Sequence, residues 1–271
     1  MKVLFASDLD QTLIYSRNSM GANVAEEELV EVEKINGKPY SFMTQTSHQA
    51  LLNIGSSAFF LPVTTRTQAQ YERVTGIFDG AAPPQYAVIS NGAVILENGK
   101  PIKEWSEGIR QQCISKKTVV EALLPLIKRY FSEEWVLNIK QADDWFVYLI
   151  IDRVRFPDEK LASYVQVFRK IGWSMSLQGR KLYFMPESIT KARAMEWIKT
   201  RISADYVVAA GDSLLDLDLL ESADKGFLAA HGEAFRNNAA ISSHIQITKQ
   251  LGIKAGEEIL AHVAGIAQQQ G

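Results

Sequence analysis

The chain has 271 residues, of which 46% are hydrophobic and 22% are charged, a composition typical of a globular protein. Its length suggests one large domain or two smaller domains. A net charge of -2 provides no basic surface for neutralising phosphates, so we expect no nucleic-acid partner.

The cysteine count and the apolar runs indicate where the protein is expected to work. Cys113 is the only cysteine, so no disulfide bond can form within the chain. The chain does not open with a charged segment followed by an apolar stretch, and no apolar run approaches about 18 residues. We therefore expect a cytoplasmic protein without membrane contact, and the residues give no indication of its oligomeric state.

The first predicted strand ends in two carboxylates. Residues 3–6 are apolar, and Asp8 and Asp10 follow in a loop. Side chains two residues apart in an extended segment lie on the same side, so these carboxylates should converge and attract a hard cation such as Mg²⁺. The pattern indicates metal-assisted phosphate chemistry, and the alternative is that both residues only form a turn.

A β-hairpin is predicted over residues 28–42. Residues 28–33 show an alternating polar and apolar character, and Asn36-Gly37 is a favoured hairpin turn. The hairpin is either a flap over the loop that contains Asp8 or a plain surface ribbon.

The next predicted strand, residues 59–63, ends in Thr64-Thr65-Arg66 and precedes a helix start formed by Thr67 and Gln70. A hydroxyl, backbone N–H groups and a cation at a helix start can bind an anion. Thr64 and Arg66 are therefore candidate substrate ligands. The simpler alternatives are a strand-end threonine and a solvated arginine.

A β-meander is predicted from residue 86 to residue 99. Residues 86–90 and 93–96 are strand-like, and Asn-Gly pairs follow each of them at Asn91 and Asn98. Asn91 either faces the site or only forms its turn.

The pattern changes between about residues 103 and 185 to a helix followed by two strands, and this unit occurs twice. The predicted helices are residues 116–131 and 157–171, and the predicted strands are residues 135–141, 145–151, 173–178 and 181–185. Paired strands after each helix indicate an antiparallel sheet with helices on one face. We expect a core domain of residues 1–102 and 186–271, with an inserted α+β domain of residues 103–185.

Charged residues lie at the start of the helix and at the end of the strand that follow this insertion. Lys191 lies at the start of a predicted helix, where the helix dipole disfavours a cation, so a nearby anionic cluster is expected. The last strong strand, residues 206–210, ends before Asp212. Ser213 and Asp216 form a predicted capping box that accounts for Asp216 but leaves Asp212 unexplained.

These motifs, in this order, resemble those of the haloacid dehalogenase superfamily, in the branch with a large α+β cap that includes sucrose-phosphatase and Cof-like proteins. Asp8-x-Asp10-x-Thr12 is similar to its first motif, Thr64 to its second, Lys191 to its third and Gly211-Asp212-Ser213-x-x-Asp216 to its fourth. Gln11 and Thr65 stand where Gly is commoner, and Leu215 stands where many relatives have Asn. The resemblance implies a doubly wound, mostly parallel α/β core with an inserted αββαββ cap.

The resemblance also implies a function, a Mg²⁺-dependent phosphatase acting on a small phosphorylated metabolite, with sugar phosphates favoured. Asp8 would be the nucleophile and Asp10 the general acid and base. Asp8, the Asp10 carbonyl, Asp212 and Asp216 would hold Mg²⁺, and Thr64 and Lys191 would hold phosphate oxygens.

Substrate contacts beyond the phosphate are expected from Arg66, from Asn91 and from the turn at Gly179-Arg180-Lys181. Arg180 and Lys181 place two cations at a hairpin tip, and a solvated basic tip is the alternative. A phosphomutase and a catalytically silent regulatory module are the competing functions.

Overall fold

The computed structural model describes residues 1–21, 24–131, 134–236 and 238–270, which form two compact units. The first unit comprises Met1–Pro101 and the chain from Lys191 onward, and the second is Ile102–Thr190. The second unit ends after residue 190, where the sequence indicated residue 185. Contacts within the second unit explain the difference, because the Glu187 N–H donates to the Gly172 carbonyl and Cys113 Sγ lies 3.4 Å from Ser188 Oγ.

Strands and helices alternate along much of the chain. The strands are β1 (Val3–Ser7), β2 (Tyr15–Ser16), β3 (Leu29–Ile35), β4 (Lys38–Thr44), β5 (Phe59–Pro62), β6 (Tyr86–Ile89), β7 (Val94–Glu97), β8 (Lys100–Pro101), β9 (Val136–Ala142), β10 (Phe146–Ile151), β11 (Trp173–Gln178), β12 (Lys181–Pro186), β13 (Tyr206–Gly211), β14 (Lys225–Leu228) and β15 (Ile245–Ile247). The α-helices are α1 (Gln45–Ile54), α2 (Gln68–Tyr71), α3 (Lys103–Ser115), α4 (Val120–Tyr130), α5 (Leu161–Arg169), α6 (Lys191–Ile202), α7 (Leu217–Glu221), α8 (Glu233–Arg236) and α9 (Ile253–Gln270). Within the described ranges, no helix combines the length and the apolar character needed to cross a bilayer.

A parallel sheet in the order β15-β14-β13-β1-β5 forms the centre of the first unit. All the residues of β1 are buried, as expected for a strand covered on both faces. Ser7 at the end of β1 pairs with Ala210 on one side and with Pro62 on the other. The loops after β1, β5 and β13 therefore leave the sheet at the same edge, and the predicted α/β core is confirmed.

The hairpin of β3 and β4 is also present, and an irregularity changes the direction of one side chain. Glu31 pairs with Phe42, but Glu33 pairs with Ser41, so Val32 is an extra residue on β3. Such a bulge breaks the alternation of side chains along a strand. As a result, the adjacent residues Val32 and Glu33 are both buried.

The predicted meander is present as β6, β7 and β8. Its first turn has positive φ angles at Ser90, Asn91 and Gly92, of 49°, 58° and 105°. Val63, just after β5, forms a parallel bridge with Val88 of β6. The meander is thereby attached beside the edge of the parallel sheet.

The second unit contains an antiparallel sheet in the order β11-β12-β10-β9, with α4 and α5 packed on one face. Phe131, Phe168, Trp173 and Phe184 lie in the apolar layer between them. The two predicted helix-strand-strand repeats are therefore confirmed. Helix α3 precedes them and was not predicted, although its buried residues Trp105, Ile109 and Cys113 recur at four-residue spacing.

Candidate active site

Three buried carboxylates meet at the carboxyl edge of the parallel sheet. Asp8 follows β1, Asp212 follows β13, and Asp216 lies one turn further along the chain. One carboxylate oxygen of each residue lies within 4.8 Å of those of the other two. Asp8 is 5% exposed, Asp212 is 6% exposed and Asp216 is fully buried. The sheet edge thus concentrates negative charge in a volume with little water.

Lys191 supplies a cation to this cluster. It is the first residue of α6, and only 1% of its surface is exposed. Its Nζ donates to Asp8 Oδ1 at 2.6 Å and to Asp216 Oδ1 at 2.5 Å. Burial alone would lower the pKa of Lys191, but the adjacent Asp216 and Asp8 outweigh it and raise the pKa. These carboxylates explain a lysine at a helix start, where the dipole disfavours it.

The charge of the cluster fits a divalent cation. Burial raises the pKa of Asp8 to about 7, although Lys191 acts in the opposite direction. Burial and the neighbouring Asp216 and Asp8 raise the pKa of Asp212 well above its ordinary value. Both shifts show that the cluster resists holding three ionised carboxylates beside one ammonium group, a charge that a divalent cation would balance, and carboxylate oxygens are the ligands that Mg²⁺ prefers. Asp8, Asp212 and Asp216 therefore suit a bound Mg²⁺ ion.

Asp216 is engaged by protein groups on both of its oxygens. Its Oδ2 accepts from the Asp212 N–H at 3.1 Å, from the Ser213 N–H at 2.9 Å and from Ser213 Oγ at 2.8 Å. Its Oδ1 is the acceptor for Lys191. The predicted capping box is confirmed. A Cβ atom on Gly211 would lie only 2.4 Å from the Asp216 Cβ, so the close approach of Asp216 to the strand end requires glycine at residue 211.

Arg66 links Asp10 to a second acidic residue, Glu33. Arg66 Nε and Nη2 donate to the two carboxylate oxygens of Asp10, both at 2.7 Å. Nη1 and Nη2 donate to the oxygens of Glu33 at 2.8 and 2.9 Å, and Nη1 also donates to the Gln70 carbonyl at 3.2 Å. Burial opposes the positive charge, but Asp10 and Glu33 outweigh it and raise the pKa of Arg66. All five guanidinium N–H groups therefore have protein acceptors.

This arrangement differs from the substrate contact expected for Arg66. With its N–H groups occupied, Arg66 would have to release a protein partner in order to bind substrate, and such binding remains a prediction. Glu33 was not identified from the sequence, because regular alternation places it on the same face as the exposed Glu31. The bulge at Val32 turns the Glu33 side chain inward, and no pattern in the sequence predicts that bulge.

Thr64 and Asn91 lie on loops that are hydrogen-bonded to each other. The Asn91 N–H donates to the Thr64 carbonyl at 2.9 Å, and the Thr64 N–H donates to the Val88 carbonyl at 2.8 Å. Both residues are buried. Helix α2 has only four residues, so it adds less to an anion site than the predicted helix would have. Phosphate binding by Thr64 and substrate contact by Asn91 remain predictions.

The remaining candidate residues belong to the second unit. Arg180 and Lys181 are exposed at the turn between β11 and β12, where Gly179 has a φ of 55°. Lys181 Nζ lies 5.7 Å from the centre of the Tyr148 ring on the neighbouring strand. Their contact with substrate remains a prediction.

Comparison with solved structures identifies the fold, although the sequence itself matches no protein-family model and no curated protein. The sucrose-phosphatase of Synechocystis, solved in complex with sucrose and phosphate, has a TM-score of 0.68 at 15% identity, over 97% of this chain and 98% of that chain. The C-terminal domain of trehalose-6-phosphate phosphatase from C. albicans has a TM-score of 0.55 at 14% identity, over 97% of this chain and 92% of that chain. A phosphatase of the haloalkanoate (HAD) superfamily from Bacteroides thetaiotaomicron has a TM-score of 0.54 at 14% identity, over 97% of this chain and 95% of that chain.

This chain has the haloacid dehalogenase fold. The match covers nearly the whole of each chain, so it includes both the parallel core and the inserted unit. The fold predicted from the four motifs is thereby confirmed. In this fold the carboxyl edge of the parallel sheet carries the carboxylate cluster and Lys191, as expected for ligand sites in open α/β sheets.

Proposed function

We propose that this chain is a Mg²⁺-dependent phosphatase that hydrolyses small phosphorylated metabolites through an aspartyl-phosphate formed on Asp8. The observation that carries the proposal is the buried cluster in which Lys191 bridges Asp8 and Asp216 next to Asp212. Structural ion pairs rarely need three carboxylates and one lysine in a buried volume. The surplus of negative charge suits a site that binds a divalent cation together with a phosphate group.

The first half of the reaction transfers the phosphoryl group to the protein. A carboxylate oxygen of Asp8 forms a bond to phosphorus while the bond from phosphorus to the ester oxygen breaks. Asp10 gives a proton to that ester oxygen, which leaves as an alcohol. The product is an acyl phosphate on Asp8.

The second half returns the protein to its starting state. Asp10, now a carboxylate, takes a proton from a water molecule as the water oxygen attacks phosphorus. The bond between phosphorus and the Asp8 oxygen breaks, which releases inorganic phosphate and the free carboxylate. Asp10 thereby regains the proton that it gave to the ester oxygen.

Charge neutralisation is the main contribution of the surrounding residues. Thr64 and Lys191 hold phosphate oxygens, and Lys191 also stabilises the ionised form of Asp8. Mg²⁺, when bound by Asp8, the Asp10 carbonyl, Asp212 and Asp216, would neutralise charge on the phosphoryl group. A buried site strengthens each of these interactions, since little water screens them.

Sugar phosphates are the proposed substrate class. The fold is shared with a sucrose-phosphatase and with a trehalose-6-phosphate phosphatase domain, which supports phosphorylated sugars as the first compounds to assay. The core motifs contact only the phosphate and the metal. We therefore propose that Asn91, Arg180 and Lys181 contribute to the selection of the sugar.

The proposal is tested by replacing Asp8 with Asn, which is nearly isosteric but a very poor nucleophile. A panel of sugar phosphates is assayed with Mg²⁺ under single-turnover conditions, and Asp8→Asn should lower the rate by at least about a thousandfold. Asp224→Asn is the matched control. Asp224 is exposed, accepts from the Val207 N–H at 2.8 Å and precedes β14, at the opposite edge of the sheet.

The outcomes separate the competing functions. Hydrolysis by the wild type that is lost in Asp8→Asn and retained in Asp224→Asn supports the phosphatase. Transfer of phosphate to a second sugar hydroxyl would indicate a phosphomutase instead. Absence of metal-dependent turnover on every ester of the panel would indicate a silent binding module.

A further inference from the structure

We propose that Glu33 positions the general acid Asp10 through Arg66, which makes the β3–β4 hairpin part of the catalytic apparatus. This inference rests on the proposed phosphatase function. It assigns a role to a hairpin residue that lies outside the four sequence motifs, and it gives the hairpin a function other than that of a surface ribbon.

Arg66 can fix the position of Asp10 relative to Glu33 because its guanidinium group is planar and rigid. One edge, Nη1 with Nη2, is held by Glu33, and the neighbouring edge, Nη2 with Nε, holds both oxygens of Asp10. Fixing the plane of the group at Glu33 therefore fixes where the Asp10 carboxylate lies. Asp10 needs such support, since 47% of its side chain is exposed.

Glu33 is itself anchored on several sides. It is 1% exposed, its Oε2 accepts from Ser41 Oγ at 2.7 Å, and its Oε1 lies 3.2 Å from Arg73 Nε. Burial opposes the ionisation of Glu33, but hydrogen bonds from Arg66 and Ser41 outweigh it and lower its pKa. The bulge at Val32 turns this carboxylate away from the solvent face of the hairpin.

Loss of Glu33 would change the position of Arg66. The guanidinium group would lose two of its five acceptors and one of its two counter-charges. Only Asp10 and the Gln70 carbonyl would then remain of the acceptors that hold the guanidinium group. Arg66 would then hold Asp10 less firmly, and the transfer of a proton from Asp10 to the leaving oxygen would slow.

The test exploits the fact that only some leaving groups need a proton. Glycerol phosphate releases an alkoxide that Asp10 must protonate, whereas dinitrophenyl phosphate releases a stable phenolate. Glu33→Gln should lower kcat/KM for glycerol phosphate by about 30-fold or more and for dinitrophenyl phosphate by less than about 3-fold. Asp10→Asn should show the same selectivity to a larger extent.

Three further variants distinguish this role of Glu33 from a folding defect. Ser41→Ala removes one anchor of Glu33 and should produce a smaller loss with the same preference for glycerol phosphate. Glu31→Gln, an identical change on the exposed side of the same strand, should leave both esters unaffected. In the Asp10→Asn background, Glu33→Gln should cause no additional loss on glycerol phosphate.

Equal losses of kcat/KM on both esters, or no loss on either, would overturn the inference. The proposed function is judged separately by Asp8→Asn in the same assays. If Asp8→Asn retains turnover, the phosphatase mechanism itself is wrong. If Asp8→Asn is inactive while Glu33→Gln affects both esters equally, only the role of Glu33 is wrong.

Discussion

Lys191 Nζ lies 2.6 Å from Asp8 Oδ1, although 183 residues separate the two in the chain. The inserted unit, Ile102–Thr190, ends immediately before Lys191, which is the first residue of the helix that follows. The chain therefore re-enters the first unit at Lys191, the residue that balances the charge of the buried carboxylates. Because Lys191 also contacts Asp216, one side chain connects the first loop of the core to the last acidic motif.

Replacing Lys191 with Met should remove activity and weaken the fold. The substitution leaves Asp8 and Asp216 buried without their cation, which typically costs about 3 to 5 kcal/mol in the free energy of unfolding. It would also remove the donor that we propose for a phosphate oxygen, so a loss of about 100-fold in kcat/KM is expected. Urea unfolding in EDTA and steady-state kinetics measure the two effects.

Lys199→Met is the matched control for this variant. Lys199 lies on the same helix, its side chain is 31% exposed, and its Nζ lies 3.9 Å from Glu196 Oε1. Near wild-type kinetics are expected for it. Comparable losses in the two lysine variants would show that the helix, not the cluster, determines activity.

Asp212 and Asp216 should differ in their effect on metal binding. Asp216 is held by Lys191, by two backbone N–H groups and by Ser213 Oγ, whereas Asp212 has a raised pKa in an acidic environment. Asp212→Ala should therefore raise the Mg²⁺ concentration for half-maximal activity much more than Asp216→Ala does. Asp216→Ala should instead lower Tm more. Equal shifts in metal requirement would mean that the two carboxylates are ligands of similar importance.

The metal-free protein should lose stability as the pH rises. Burial raises the pKa of Asp8 from 3.8 to about 7 in the folded state, so the folded chain binds more protons than the unfolded chain between these values. Stability that is present at low pH is therefore lost as the pH rises through this window. Tm measured in EDTA should fall from about pH 5 to pH 7 because of this group, and saturating Mg²⁺ should reverse the fall. A Tm that rises with pH in EDTA and does not respond to Mg²⁺ would contradict this prediction.

Much of the core could be predicted because its signals are local. Buried parallel strands are short apolar runs, and the polar residues that follow them lie at a common edge once the strands are parallel. Asp8 and Asp212 were identified in this way, and Lys191 was identified from its place at a helix start; the structure brings the three together. The capping box of Ser213 and Asp216 was also predictable, since both partners lie three residues apart.

Other features depend on tertiary contacts that no local pattern encodes. The burial of Glu33 follows from a one-residue bulge, which reverses the face expected from alternation. Arg66 was expected at an anion site, but its partners are two carboxylates, Glu33 of β3 and Asp10 of a loop, which lie 33 and 56 residues away along the chain. Helix α3 was not predicted, although its apolar residues are regularly spaced, because it precedes the helix-strand-strand repeat and has no counterpart in the second repeat.

The central claim, that Asp8 becomes phosphorylated during turnover, is tested most directly by trapping the intermediate. The wild type is mixed with a radiolabelled sugar phosphate and Mg²⁺, quenched in acid within milliseconds and digested, and the labelled peptide is identified by mass spectrometry. We expect the label on the peptide that contains Asp8, its loss on treatment with hydroxylamine, and no label in Asp8→Asn. A label on another residue, or full turnover by an Asp8→Asn protein, would contradict the account.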